Sequence, residues 1–321
     1  MTSMPAAVAT ASSRRLPEAH LDAEAMADLA FEAATITGFE AVGVPFCCTV
    51  EAEAFGAQID LGDAVTEARV VHEPYATVEA VRLPEVADLL DRGWAPVVVE
   101  AVRRLRERAG DLPIIINLIG PVSIGASVVE PAVFLRELRT RPEPTRIFLE
   151  RITNFLVAWA ELAIAAGADV VAVHEDSATP AIVGPKTFET VVSPHLARIA
   201  AAVRAKGAKS LLHLCGTLGR SIETIACLGF DGFVPDAAVY PAEFRAAAPG
   251  LAVVGNVSTF LLHQGRPKAI RRISRRLLDA GVDVLSPTCG LSSLTPLDNI
   301  RALTGAVDDH TPLGPEEDED E

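Results

Sequence analysis

Positive charge is in short supply: 28 Lys and Arg stand against 43 Asp and Glu, for a net charge of -15. A surface with that balance repels phosphate backbones instead of releasing counterions from them, which excludes nucleic acid as a partner. Paired cysteines are lacking too. Five cysteines in 321 residues, an odd number in a long chain, do not make a disulfide framework, and reduced or metal-bound thiols fit them better. No apolar run is long and unbroken enough to cross a bilayer. The uncharged stretch 113–129 contains Pro121 and two glycines, and 155–173 is interrupted by Glu161 and Asp169. The Ala/Ser/Thr-rich start does not read as a secretory leader, because Arg14 and Arg15 follow its apolar part instead of preceding it. A soluble, cytoplasmic protein without membrane contact is expected.

What is present points to one large α/β unit. Half of the residues are hydrophobic, enough for a sizeable core, and the length suits a single barrel with insertions. From residue 113 onward, β-branched runs (114–119, 170–173, 211–214, 232–234, 251–254 and 282–285) alternate with amphipathic stretches (146–166, 185–206 and 267–280). That is the pattern of repeated βαβ units around a parallel sheet. Three helical stretches end in the same way, in Gly167-Ala-Asp-Val-Val, Gly229-Phe-Asp-Gly-Phe and Gly281-Val-Asp-Val-Leu. A glycine just past a helix permits the left-handed turn that redirects the chain into a strand, so these read as equivalent αβ corners. No Gly-x-Gly-x-x-Gly follows an early strand, which removes the usual dinucleotide cradle of an open sheet. The expected fold is an eight-stranded (β/α)8 TIM barrel over residues 20–312. A disordered segment is expected at 1–19 and an acidic tail at 313–321. Segments 40–45 and 68–72 are further strand candidates whose order the pattern leaves open.

Catalytic groups in such a barrel project from the C-terminal ends of the strands. Four strand ends carry chemistry: Asn117 to Pro121, His174-Glu175-Asp176, His213-Leu214-Cys215-Gly216, and Ser286 to Gly290. Residues two apart in a strand face the same side, so His213 and Cys215 share a wall while Leu214 points to the helix layer. Cys289 ends a later strand by the same logic. One nitrogen and two sulfurs suit Zn²⁺ with a fourth position left open, the pattern of a catalytic site. Glu175 or Asp176 could supply a labile fourth ligand or support the others. Cys47 or Cys48 could face the pocket, and Cys227 is expected in the core.

The segments Val44-Pro-Phe-Cys-Cys-Thr-Val-Glu-Ala-Glu-Ala-Phe-Gly56, Gly120-Pro-Val-Ser-Ile-Gly125, His213-Leu-Cys-Gly216, Val254-Gly-Asn-Val257, Pro287-Thr-Cys-Gly-Leu291 and Thr295-Pro-Leu-Asp-Asn299 resemble the methylcobamide:coenzyme M methyltransferases. These belong to the uroporphyrinogen decarboxylase superfamily of (β/α) barrels, and the likeness covers residues 20–308. The resemblance implies a zinc triad on His213, Cys215 and Cys289. It implies a corrinoid (methylcobamide) as methyl donor, carried by a partner protein, and a small thiol such as coenzyme M as acceptor. It further implies pocket or cofactor contacts for Asn117, Asn256, Glu51, Glu53 and Asp236, the last as a carboxylate that could orient His213. A metal-free decarboxylase on the same barrel is the alternative. The arginine-rich motif that grips porphyrinogen carboxylates is not found after Phe46, where Cys47-Cys48-Thr49 stands.

Overall fold

The computed structural model describes residues 3–308 and 310. Strands form at β1 (Val42–Val44), β2 (Gln58–Asp60), β3 (Arg69–His72), β4 (Ile114–Ile119), β5 (Val170–His174), β6 (Lys209–Leu214), β7 (Gly232–Pro235) and β8 (Ala252–Val253). Six of them make one parallel sheet in the order β1-β4-β5-β6-β7-β8. Helices connect parallel neighbours, as they must. The run 282–285 does not form a regular strand. It joins the wall by single bridges, Val254 with Val284 and Val257 with Pro287, with Gly255 N–H donating to the Val284 carbonyl at 2.8 Å. The last helix, Leu297–Asp308, returns to the first long one, Ala23–Thr37. There Thr304 Oγ1 donates to the Thr37 carbonyl at 2.7 Å and Arg301 Nε to that of Ile36 at 2.9 Å. The outer helix ring thus closes end to start around a TIM barrel. Strands β2 and β3 pair antiparallel in a hairpin of their own, so 68–72 is not part of the wall.

The three corner motifs share more than their glycines. Gly167, Gly229 and Gly281 hold φ of 116°, 87° and 89°. The aspartate two residues on caps an N–H at the start of the neighbouring strand: Asp169 accepts from Ile114 at 2.8 Å, Asp231 from Ser210 at 2.9 Å and Asp283 from Val253 at 2.8 Å. Each carboxylate also pairs with a cation, Arg106, Lys209 and Arg245 respectively. A buried strand start otherwise leaves a donor unsatisfied, which is why the acid recurs with the glycine.

The described part of the expected disordered start is folded. Residues Ala6–Ala11 form a helix, Met4 and Val8 are buried, and Ser3 Oγ donates to the Leu291 carbonyl at 2.5 Å while Ala6 N–H reaches Ser293. Its alanine-rich composition hid Met4 and Val8, which join the core, and the hydrogen bonds of Ser3 and Ala6 to the loop after Cys289. The acidic tail lies outside the described residues.

Candidate metal centre

Strand β6 carries His213 inward, with Leu212 and Leu214 fully buried towards the helices. Cys215 follows on the same side, and Gly216, at φ 76°, turns the chain away at once. Cys289 arrives from the opposite end of the sequence. Its neighbour Thr288 is pinned through its N–H to the Val257 carbonyl at 3.0 Å and through Oγ1 to that of Pro235 at 2.7 Å. The result is one cluster: the His213, Cys215 and Cys289 donor atoms all lie within 4.8 Å of one another. Cys215 Sγ is 3.2 Å from His213 Nε2 and 4.0 Å from Cys289 Sγ. Donors around one tetrahedral zinc stand roughly 3.5–3.8 Å apart given its bond lengths, so small side-chain adjustments suffice. The imidazole is already aimed. His213 Nδ1 donates to the Val234 carbonyl at 2.9 Å, which leaves the Nε2 lone pair facing the sulfurs.

The thiols and imidazole polarise one another in the described chain. Cys289 is lowered to about 4, first by the hydrogen bond from Cys215 and then by His213, against burial. Cys215 is pushed up, first by that same bond and then by burial. Burial opposes charge on His213, but Cys289 and Asp176 outweigh it and raise its pKa.

The two candidate carboxylates part company. Asp176 Oδ1 lies 3.4 Å from Cys215 Sγ and 3.6 Å from His213 Nε2, beside the cluster. Its pKa is raised by burial and by Cys289, with His213 opposing. Glu175, expected as the other possible fourth ligand, is fully buried and points elsewhere. It accepts from the N–H groups of Val122 and Ser123 at 2.9 and 2.8 Å and from Ser123 Oγ at 2.5 Å, and so caps the helix Pro121–Val128.

Uroporphyrinogen decarboxylase (URO-D) sequences, taken as a family model, match residues 1–310. The chain belongs to the uroporphyrinogen decarboxylase family. Within the family it stands beside the methylcobamide:CoM methyltransferases: MtaA of Methanosarcina barkeri is 33% identical over 92% of this chain and 87% of its own length. A solved methyltransferase from Methanosarcina mazei has a TM-score of 0.89 at 31% identity, covering 96% of this chain and 91% of that one. A uroporphyrinogen decarboxylase of Anaeromyxobacter dehalogenans is 30% identical over 72% of this chain and 67% of its own length.

Other members of the expected site take bracing positions in this family member. Asp236 does not touch His213, whose orienting partner is a carbonyl. Asp236 accepts instead from Gly216 N–H at 2.9 Å and Ala238 N–H at 2.8 Å, which fixes the turn after Cys215. Asn256 Nδ2 donates to the carbonyls of Asp236 and Val239 at 2.9 and 2.8 Å, while its Oδ1 is buried without a partner. Asn117 Nδ2 reaches the carbonyls of Val44 and Pro45, and its Oδ1 the His174 ring at 3.3 Å. Glu51 is buried: Oε1 accepts from Ile119 N–H at 2.7 Å and Oε2 has no partner. Burial pushes it up to about 7. Glu53 lies against Gly93.

Sequence reasoning weighed Cys48 without placing it and missed Glu67. Cys48 is exposed while Cys47 is buried, and the Cys48 thiol is pushed up by desolvation and by Asp176. Glu67, between the hairpin strands, is raised by desolvation and by Cys289, so that loop comes within electrostatic reach of the cluster. No local signal ties a hairpin to a strand end more than two hundred residues away. Cys227, expected in the core, is exposed beside the helix Ile222–Ala226.

Proposed function

We propose that this chain is a zinc-dependent methyltransferase that moves a methyl group from a methylated corrinoid, carried by a partner protein, to a small thiol such as coenzyme M. The observation that carries the reading is the convergence of His213 Nε2 and the Cys215 and Cys289 sulfurs at the mouth of the barrel. The donor set fits the metal in three ways: it is soft, its imidazole is pre-oriented, and it is three-fold, so a fourth position stays open to substrate. Zinc bound there would supply Lewis acidity that keeps a coordinated thiol as thiolate at neutral pH. The names of the methyltransferase relatives agree with such an activity.

The protein's own residues do the positioning. His213, Cys215 and Cys289 would hold the metal, with the Val234 carbonyl fixing the ring. Asp236 and Asn256 fasten the loops that carry Cys215 and its neighbours. Asp176, 3.4 Å from Cys215 Sγ, would stand beside the bound metal. Holding the acceptor sulfur in one place would convert methyl transfer into an aligned displacement. The barrel at 20–312 is then the catalytic domain, in a reducing cytoplasm that keeps its thiols available. The alternative, a metal-free decarboxylase, leaves the three soft donors without a task.

The test is to mix purified protein with free methylcobalamin and coenzyme M and follow loss of the methyl-cobalt absorbance. Turnover is expected in protein carrying about one zinc per chain, and its loss, together with loss of zinc, in Cys289→Ser. A zinc-free protein with full turnover would overturn the reading.

A further inference from the structure

We infer that Cys215 and Cys289 form a reversible oxidative modification site, closing to a disulfide when no metal separates them. The two sulfurs are already at 4.0 Å, and bond formation needs an approach of roughly 2 Å to reach the S–S length. Both residues have room to make it. Cys289 is exposed and Cys215 half-exposed. Each is followed by a glycine, and at Gly216 a Cβ would meet nothing within 4 Å. The segment leading to Cys289 is attached to the wall by isolated bridges, not by a full ladder, so it yields more readily than a regular strand.

The site is selective among the five cysteines. Cys47 is buried, Cys227 lies on the outer helix layer, and Cys48, though exposed, has no sulfur at contact distance among the described residues, whereas Cys215 and Cys289 have their sulfurs in contact. A hydroperoxide is the matching oxidant. The exposed Cys289 sulfur displaces the leaving oxygen from the peroxide O–O bond, giving a sulfenic acid and an alcohol, or water from hydrogen peroxide. The Cys215 sulfur then displaces that hydroxyl as water, forming the S–S bond. Two electrons pass from the two sulfurs to the peroxide, and both thiol protons leave with the oxygen products. Because two of the three soft donors are consumed, the oxidised chain no longer holds the metal.

Reversal needs only thiol–disulfide exchange: two equivalents of a small thiol give back both cysteines and release the oxidised small thiol. The acceptor class proposed above is itself such a reductant, so abundant substrate keeps its own site open. That last link rests on the methyl-transfer reading; the disulfide does not.

The experiment treats the full-length protein, stripped of metal with a chelator, with one equivalent of hydrogen peroxide, then alkylates and maps peptides by mass spectrometry. Expected are loss of two thiols per chain, a mass lower by two hydrogens, a cross-link between the Cys215 and Cys289 peptides, and recovery with dithiothreitol or coenzyme M. In Cys215→Ser the reaction should stop at a sulfenic acid on Cys289 that dimedone traps, while Cys227→Ser should behave as wild type. Prior loading with zinc is expected to slow the cross-link at least tenfold. A cross-link to Cys48, or separate oxidation of Cys215 and Cys289 without linkage, would overturn the inference. If the cross-link forms but zinc gives no protection, the disulfide stands and the zinc reading fails.

Discussion

At the scale of single residues, the proposed centre rests on groups that fasten its loops. Asp236 is the clearest case: its carboxylate fastens the N–H that follows Cys215 and the loop beside Val234. Asp236→Ala is expected to lower zinc affinity about tenfold, in the range found for groups that orient ligands, with little change in melting temperature; competition with a chromophoric chelator measures it. Glu51 makes a different forecast. Its ordinary value of 4.5 is raised to about 7 by burial, so the folded state prefers the protonated form. That preference stabilises the fold fully below about pH 4.5 and is lost as pH rises through 7. Glu51→Gln should therefore flatten the fall in stability across that window, by up to about 3 kcal/mol at its upper end. Urea titrations at pH 5 and pH 8 give the comparison, and equal slopes for both proteins would refute it. The period-two spacing of His213 and Cys215 was legible in the sequence because strand geometry is local. The task of Glu175 was not, because the helix it caps begins more than fifty residues earlier.

Among the elements, division of labour follows the barrel's two ends. The corner motifs at Gly167, Gly229 and Gly281 lie at the strand starts, where aspartates and cations close the wall, and the thiols lie at the opposite rim. Gly167→Ala would put a Cβ 2.8 Å from the Arg106 side chain at a φ of 116°. A loss of about 2 kcal/mol is expected from the left-handed strain and the overlap, with zinc content unchanged. Loss of zinc at unchanged stability would contradict this separation. Long β-branched runs such as 114–119 were readable as strands, since both faces of β4 are buried. The three-residue β1 and the hairpin strand β3 fall within the candidates 40–45 and 68–72, but their pairing and the strand β2 were not legible, because segments that short carry no period. The run 282–285 misled in a milder way: its composition is that of a strand, but the wall there is held by single bridges.

For the whole molecule, the composition bounds what the surface can meet. No described helix is long and apolar enough to cross a membrane, and the acidic balance argued against nucleic acid before any fold was in view. The barrel brings two thiols 74 residues apart, and an imidazole, to one point at its mouth. Convergence of that kind follows from strand order, which is why the cluster of His213, Cys215 and Cys289 could be read once a barrel was inferred, whereas the different places of Asp176 and Glu175 needed coordinates. X-ray absorption at the zinc edge of the purified protein probes that point most directly. Expected are two sulfurs at about 2.3 Å and one imidazole nitrogen near 2.0 Å with one further light atom, a third sulfur replacing the light atom when coenzyme M is added. A zinc shell without sulfur, or no zinc at all, would contradict it.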